Sequence, residues 1–330
     1  MNYDALLIVS FGGPEGMDEV MPFLENVVRG RNVPRERLLG VAHHYEMFGG
    51  VSPINQQNRN LIAALKEELR ANGPALPIYW GNRNWHPLLP DTLRTMAADG
   101  VKNALAFVTS AYSSYSSCRQ YRQNIENAQA EVGPGGNAPR VEKLRAFYNH
   151  PLFIDANLDR IRSAFTDLNG QVDHLAFTAH SIPESMAANC DYAVQLEDTA
   201  WLIAETLGVE NWKVVYQSRS GSPLQPWLGP DICDHLKQLH DRGIKNVVVA
   251  PTGFVSDHME VVYDLDVEAQ QVAKELGMNM VRAATAGTHP SFVKMIRELI
   301  LERVDNAPAR FVGSRGPAHT VCPVDCCLAG

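Results

Sequence analysis

The 330-residue chain lacks an excess of basic charge and any long apolar run. Its 29 Lys and Arg residues stand against 37 Asp and Glu residues, for a net charge of −8, which argues against nucleic acid as a partner. No apolar run approaches the roughly 20 residues of a membrane-spanning helix. The first residues lead into a strand pattern without a basic n-region, so we expect a cytoplasmic protein with no transmembrane span.

The chain also lacks the evenly spaced cysteines of a disulfide framework. Of its six cysteines, Cys322, Cys326 and Cys327 fall close together near the end of the sequence. Without a secretory signal, such a group favours a metal or cluster site. Three thiols are too few for a four-thiolate site, so a fourth must come from elsewhere in the fold. Zinc and an iron–sulfur cluster both remain open, although adjacent cysteines favour a dinuclear centre.

Apolar runs alternate with amphipathic stretches along the chain. The apolar runs predict buried strands, at residues 5–9, 78–80, 104–108, 141–144, 175–178, 214–217, 247–250 and 280–282. The amphipathic stretches predict helices, at residues 55–72, 91–98, 155–168, 193–207, 231–242, 257–276 and 290–304. This alternation predicts an α/β fold with helices on both faces of parallel sheets.

The strands fall into two groups, so we expect two Rossmann-like domains, each with a roughly four-stranded parallel sheet flanked by helices. The first domain is predicted at residues 1–148, joined by a C-terminal helix at 290–305. The second is predicted at 149–289, and residues 306–330 form a Cys-containing tail. Residues 14–53 are interpreted as a polar segment, and Gly12-Gly13 does not continue into a dinucleotide fingerprint.

Acidic residues follow the predicted strand at 247–250. Glu260, Asp264 and Glu268 are spaced by four, so on a helix they share one face, with His258 nearby. A solvated acidic face is the alternative interpretation of such a row. Ligands of open α/β folds bind beyond the carboxyl ends of strands, where His258 and Glu260 fall. Their position favours a site that binds a divalent metal or carries protons.

A second predicted strand, at 175–178, delivers His180 at its carboxyl end. A lone His after a strand is more often a hydrogen-bonded turn residue. Two strand-end loops that each offer a His or a carboxylate nevertheless predict a facing pair. Trp227 lies in the sequence between them, either as a plug of the core or as a wall for a flat apolar ligand.

Several segments resemble the signatures of the ferrochelatase family, in the family's order from about Leu6 to Val304. They are Gly49-Gly50-Val51-Ser52-Pro53, Asn82-Arg83-Asn84-Trp85-His86-Pro87, Thr178-Ala179-His180-Ser181-Ile182-Pro183, Tyr216-Gln217-Ser218-Arg219, Pro226-Trp227-Leu228-Gly229-Pro230 and Phe254-Val255-Ser256-Asp257-His258-Met259-Glu260. The resemblance implies two chelatase-type domains and insertion of Fe(II) into a porphyrin in the cleft between them.

The same resemblance implies roles for the acidic and imidazole groups. His180 is the implied base or metal ligand, and Glu260 shares its side of the macrocycle. Asp264 and Glu268 match the family's acidic line, a route for metal entry or proton exit. The family line often contains a local π-bulge, which keeps acids spaced by four closer to alignment.

Positions that line the cleft in coproporphyrin-using bacterial relatives are also matched. The implied porphyrin-binding residues are Phe11, Arg29, Arg31, Tyr45, Ser52, Tyr115 and Trp227. Arg and hydroxyl groups suit propionates, which favours coproporphyrin III over protoporphyrin IX. Two departures stand out. Phe11 replaces a Tyr that touches the metal in several relatives, and His44 replaces an Arg found in some.

The tail cysteines with Cys118 resemble the bacterial ferrochelatases that carry a two-iron two-sulfur cluster. The implied ligands are Cys118, Cys322, Cys326 and Cys327 of a structural cluster, with Fe(II) itself a substrate. We expect a monomer. The alternative functions are a cobalt chelatase of corrin synthesis and a non-catalytic tetrapyrrole or haem carrier on the same fold.

Overall fold

The structure is a computed structural model, and it describes residues 3–133, 137–221 and 224–330. Its first parallel sheet has the order β2-β1-β3-β4, from β1 (Ala5–Ser10), β2 (Ile78–Asn82), β3 (Asn103–Val108) and β4 (Arg140–Lys143). The second repeats it as β6-β5-β7-β8, from β5 (His174–His180), β6 (Trp212–Gln217), β7 (Asn246–Ala250) and β8 (Asn279–Arg282). The predicted α/β class with two four-stranded parallel sheets is confirmed.

Helices cover both sheets. The first half contains α1 (Met17–Val27), α2 (Arg35–Glu46), α3 (Ile54–Asn72), α4 (Leu89–Ala98), a first π-helix (Tyr115–Arg119) and α5 (Gln120–Val132). The second half contains α6 (Pro151–Asp167), α7 (Glu184–Ala187), α8 (Tyr192–Leu207), α9 (Ile232–Asp241), α10 (Met259–Val262), a second π-helix (Asp264–Ala269) and α11 (Gln270–Glu275). The helix α12 (Pro290–Val304) follows β8.

Two predictions about helices are wrong. The segment interpreted as polar, residues 14–53, contains α1 and α2. The helix α1 buries Val20, Phe23 and Leu24 on one face, a signal that the prediction missed. The helix α2 leaves Leu39 half exposed, so its apolar pattern is weaker. The single helix predicted at 257–276 is divided into α10, the second π-helix and α11.

The two halves share one apolar core. Phe107 of the first half packs with Phe147 and with Phe292 of α12. Phe153 of α6 contacts the same two rings. The helix α12 packs against both α3 and α6. The domain boundaries at residues 148 and 289 therefore stay a prediction. None of the helices in the described part combines the length and apolar composition needed to cross a bilayer.

His150, at the start of α6, makes the fold sensitive to acid. Its Nδ1 accepts a bond from the Leu152 N–H, and the side chain is fully buried. Burial, and then the charges of Arg145 and Arg310, lower the pKa of His150 to about 3. An unfolded His has a pKa of about 6.5, so the unfolded chain binds more protons between these values. Stability is therefore lost as the pH falls below about 6.5, by up to about 1.4 kcal/mol per pH unit.

We expect His150→Asn to reduce the loss of stability at acid pH, because Asn caps a helix without titrating. Denaturant midpoints of wild type and variant, measured between pH 7.5 and 5, test this. Equal slopes for the two proteins would show that His150 does not carry the effect.

Candidate active site

The ends of β5, β6 and β7 bring the predicted residues together. β5 ends at His180, which lies opposite Gln217 at the end of β6. The strand β7 ends at Ala250, and the loop after it leads to α10. Parallel strands present their carboxyl ends at the same edge of a sheet, so the two strand-end loops predicted to face each other meet there.

His180 is held on two sides. Its Nδ1 lies 2.5 Å from the Ser181 carbonyl oxygen, so Nδ1 carries a proton whether the ring is neutral or charged. The hydroxyl of Tyr192 donates to the backbone carbonyl of His180 at 3.0 Å. Nε2 then points to Glu260, with its nearest carboxylate oxygen 3.6 Å away. Sequence reasoning did not single out Tyr192, which carries no signal outside the fold.

Glu260 lies between two imidazoles. Its Oε1 faces His180, and its Oε2 lies 3.3 Å from Nε2 of His258. Burial alone lowers the pKa of His180, but the charge of Glu260 outweighs it and raises that pKa to about 9. Burial likewise acts to raise the pKa of Glu260, and the two imidazoles hold it well below its ordinary value. The resting site therefore holds an imidazolium and a carboxylate in contact.

The acidic line leaves this pair along the second π-helix. The carbonyl of Tyr263 accepts bonds from the N–H groups of both Val267 and Glu268, at 3.1 and 3.0 Å. This widened turn is the π-bulge that the family resemblance implied, and it begins at Asp264. Burial raises the pKa of Asp264 and a hydrogen bond from Ser218 opposes this shift, but the charges of Glu260 and Glu268 add to it, so that the pKa lies at about 7. A carboxyl group with such a pKa takes up and releases protons near neutrality.

The opposite wall is an apolar cluster of the first half that packs onto α10. Its buried members include Phe23 of α1, Tyr45 of α2 and Met259 of α10, with Phe11 partly buried beside them. Burial raises the pKa of Tyr45 far above its ordinary value, and the charge of Glu260 adds to this shift. The Tyr45 hydroxyl is thus close enough to Glu260 for the charge of the carboxylate to affect its pKa.

The remaining residues implied to bind porphyrin are spread over several loops. Arg29 and Arg31 are exposed after α1, whereas Ser52 is buried against Gly13. The Tyr115 hydroxyl donates to Gln123 at 3.2 Å. Trp227 pairs with Pro183, in the loop after His180, and its buried indole N–H has no partner among the described residues. Trp227 therefore contacts the loop that carries His180, and it is also a candidate for the wall of the porphyrin site.

Arg83 also belongs to this wall, and it lies in a signature-like segment that gave it no role of its own. Its guanidinium lies over the ring of Phe11 at 5.5 Å and over that of Tyr121 at 4.9 Å. Nη1 donates to the Ser116 carbonyl at 3.3 Å, and Nε is buried without a partner in the described part of the chain. Burial lowers the pKa of this guanidinium. A lone Arg after a strand has no signal in sequence; only the fold shows its cation between aromatic rings.

The four cysteines predicted to act together line one small cavity, with Arg119, Arg122 and Lys143 around it. Hydrogen bonds from Cys322 and Cys327 lower the pKa of Cys118. The Sγ atoms of Cys326 and Cys327 lie 3.3 Å apart. As the side chains stand, no group of three or more His, Cys, Asp or Glu residues within the described ranges is arranged to hold a metal ion. The thiols contact one another instead.

Comparison with known proteins gives one consistent result. A family model described as ferrochelatase matches residues 3–304. A ferrochelatase of Rhodopirellula baltica is 57% identical, over 99% of this chain and 93% of that protein. A coproporphyrin III ferrochelatase of Streptomyces coelicolor is 49% identical, over 99% of this chain and 94% of that protein.

Solved structures agree on the fold. The sirohydrochlorin chelatase SirB from Bacillus subtilis subspecies spizizenii, in complex with cobalt, superposes with a TM-score of 0.55. The match covers 92% of this chain and 97% of SirB, at 11% identity, so it bears on the fold alone. With the family match over nearly the whole length, the chain belongs to the ferrochelatase family.

Proposed function

We propose that this ferrochelatase inserts Fe(II) into coproporphyrin III in preference to protoporphyrin IX. The observation that carries the proposal is the contact of His180 with Glu260, 3.6 Å apart at the strand-end edge. Metal insertion removes two pyrrole protons while the metal sheds its water. An imidazole and a carboxylate in contact supply both a proton acceptor and an oxygen ligand for a divalent cation.

The proposed division of labour follows from the charges. Fe(II) enters along Glu268 and Asp264 and meets Glu260, the only one of the three acids that contacts both imidazoles. Once Glu260 binds a cation, its charge no longer holds the proton on His180, and this proton leaves through Asp264 to solvent. The neutral imidazole then accepts the two pyrrole protons one after the other. Asp264, with its pKa near neutrality, suits the passage of each of these protons outward.

The choice of porphyrin is supported by two features. Coproporphyrin III carries more carboxylates than protoporphyrin IX, and the exposed Arg29 and Arg31 with the hydroxyl of Ser52 offer partners for them. Relatives about half identical over their full length are coproporphyrin III ferrochelatases. The cobalt chelatase and carrier alternatives gain no observation of their own, because the likeness to SirB reaches only the fold.

We expect Arg29→Ala and Ser52→Ala to weaken the use of coproporphyrin III more than that of protoporphyrin IX. A hydrogen bond to a charged group contributes about 1.5–3 kcal/mol, or roughly a tenfold or greater rise in KM. Initial rates of Fe(II) insertion into each porphyrin measure this. Arg70→Ala is the control, since Arg70 is exposed and, within the described ranges, pairs with Glu67 alone, one turn away. Equal losses for both porphyrins would count against the proposed preference.

A two-iron two-sulfur cluster at Cys118, Cys322, Cys326 and Cys327 is the second part of the proposal. The convergence of a first-half thiol with three tail thiols supports it, and the surrounding Arg119, Arg122 and Lys143 suit an anionic group. Binding requires the thiols to turn from one another toward the irons. When bound, the cluster supplies a cross-link between the tail and the first π-helix. The cytoplasmic location and the monomeric state stay predictions.

A further inference from the structure

The end of β6 contacts the acidic line formed by Glu260, Asp264 and Glu268. The side-chain amide of Gln217 donates to the backbone carbonyl of Glu260, and the hydroxyl of Ser218 donates to Oδ2 of Asp264. Two consecutive residues thus contact two consecutive members of the line. Neither has a role in the proposed chemistry so far.

Ser218 adopts a backbone conformation that serine rarely takes. Its φ is +60°, in the left-handed region that glycine prefers. Such a conformation is disfavoured for a residue with a side chain and persists only where neighbouring contacts enforce it. Here β6 has just ended, and the left-handed residue carries the hydroxyl that meets the Asp264 carboxyl. A glycine would fit the backbone better but would lack this contact.

The carboxyl group of Asp264 takes its hydrogen bond from a residue outside its own helix. The second π-helix begins at Asp264, where the Tyr263 carbonyl is shared between two N–H groups. Asp264 therefore sits at the junction between α10 and a widened turn. No basic side chain pairs with Asp264 in the described residues, whereas Arg282 pairs with Asp257 and Asp266 on neighbouring turns. Among the described residues, the hydrogen bond that orients its carboxyl group comes from Ser218.

We propose that Ser218 is a positioning residue for metal supply, which holds the Asp264 carboxyl group in line with Glu260. The inference rests on the proposed function, because it assigns Asp264 to the path of Fe(II). It predicts that Ser218 governs the use of Fe(II) and leaves the use of porphyrin unchanged.

The test compares Ser218→Ala with Ser218→Gly. Both variants lose the hydroxyl, but only glycine relieves the left-handed conformation. We expect both to raise the KM for Fe(II) by about tenfold, at the lower end of what a hydrogen bond to a charged group contributes. The KM for porphyrin should stay within twofold. The glycine variant also guards against a folding defect in the alanine variant. A wild-type KM for Fe(II) in the glycine variant would overturn the proposal.

A second measurement separates positioning from a general structural effect. If Ser218 acts through Asp264, Ser218→Ala should add nothing to Asp264→Asn, so the KM for Fe(II) of the double variant equals that of Asp264→Asn. Independent, multiplying effects would contradict the inference. Wild-type protein that fails to insert Fe(II) into either porphyrin would instead refute the proposed function. Active wild type with unaffected Ser218 variants refutes this inference alone.

Discussion

Replacing His180 by alanine is expected to lower the rate of Fe(II) insertion by about 10²–10⁴-fold, the usual loss for one positioned base. His180 is the imidazole whose Nε2 faces Glu260 while its Nδ1 is fixed by the Ser181 carbonyl. His258 also contacts Glu260, but it belongs to the same loop as the acid. We therefore do not expect His258 to replace His180, which approaches Glu260 from the end of β5.

Porphyrin binding by His180→Ala should stay within a few-fold of wild type, because the implied porphyrin contacts lie on other elements. Single-turnover insertion and porphyrin titration, measured on the same preparation, separate the two effects. His240→Ala serves as the control, since His240 is exposed on α9 away from this edge. Turnover within a few-fold of wild type in His180→Ala would remove His180 from the proposed chemistry.

Replacing Cys118 by serine is expected to bleach the protein and to lower its melting temperature by about 5 °C or more. Cys118 is buried in the first π-helix, the one cysteine of the four that lies outside the tail. Its loss leaves three thiols, too few for the cluster. The tail is then held near these cysteines by weaker contacts, such as the hydrogen bonds that Arg119 donates to the carbonyls of Val324 and Cys326.

Anaerobically purified wild type should be brown, with about two irons and two sulfides per chain. Cys233→Ser is the matched control, because Cys233 lies on α9 and does not line the cysteine cavity. Any loss of insertion activity in Cys118→Ser should follow the loss of stability and not exceed it. Colourless wild type with one zinc held by the four thiols would overturn the cluster and leave the proposed insertion chemistry standing.

The strands were predictable because their signal is local. Apolar runs such as Val247–Ala250 are buried on both faces, and each of the eight predicted runs forms a strand. The helices α1 and α2 were not predicted. The apolar spacing of Val20, Phe23 and Leu24 in α1 was missed, whereas the apolar pattern of α2 is weak.

The meeting of His180 and Glu260 was predictable because His180 ends a strand and Glu260 lies in the first turn of the helix that follows another. Residues that act through long-range contacts gave no such signal. Arg83 and Ser218 lie in signature-like segments, but the sequence gave neither of them a role. The rings of Phe11 and Tyr121 beside Arg83, and the bond from Ser218 to Asp264, are visible only in the fold. Sequence spacing describes neighbours along one element, whereas these contacts depend on how separate elements pack.

The most direct test of the central claim is a competition experiment. Purified protein receives limiting Fe(II), under anaerobic conditions, with equal concentrations of coproporphyrin III and protoporphyrin IX. The ratio of the two iron porphyrins formed equals the ratio of their kcat/KM values. We expect the iron complex of coproporphyrin III to exceed the other by about tenfold or more, as one extra charged hydrogen bond would produce. A majority of the protoporphyrin IX product, or no iron porphyrin at all, would contradict the account.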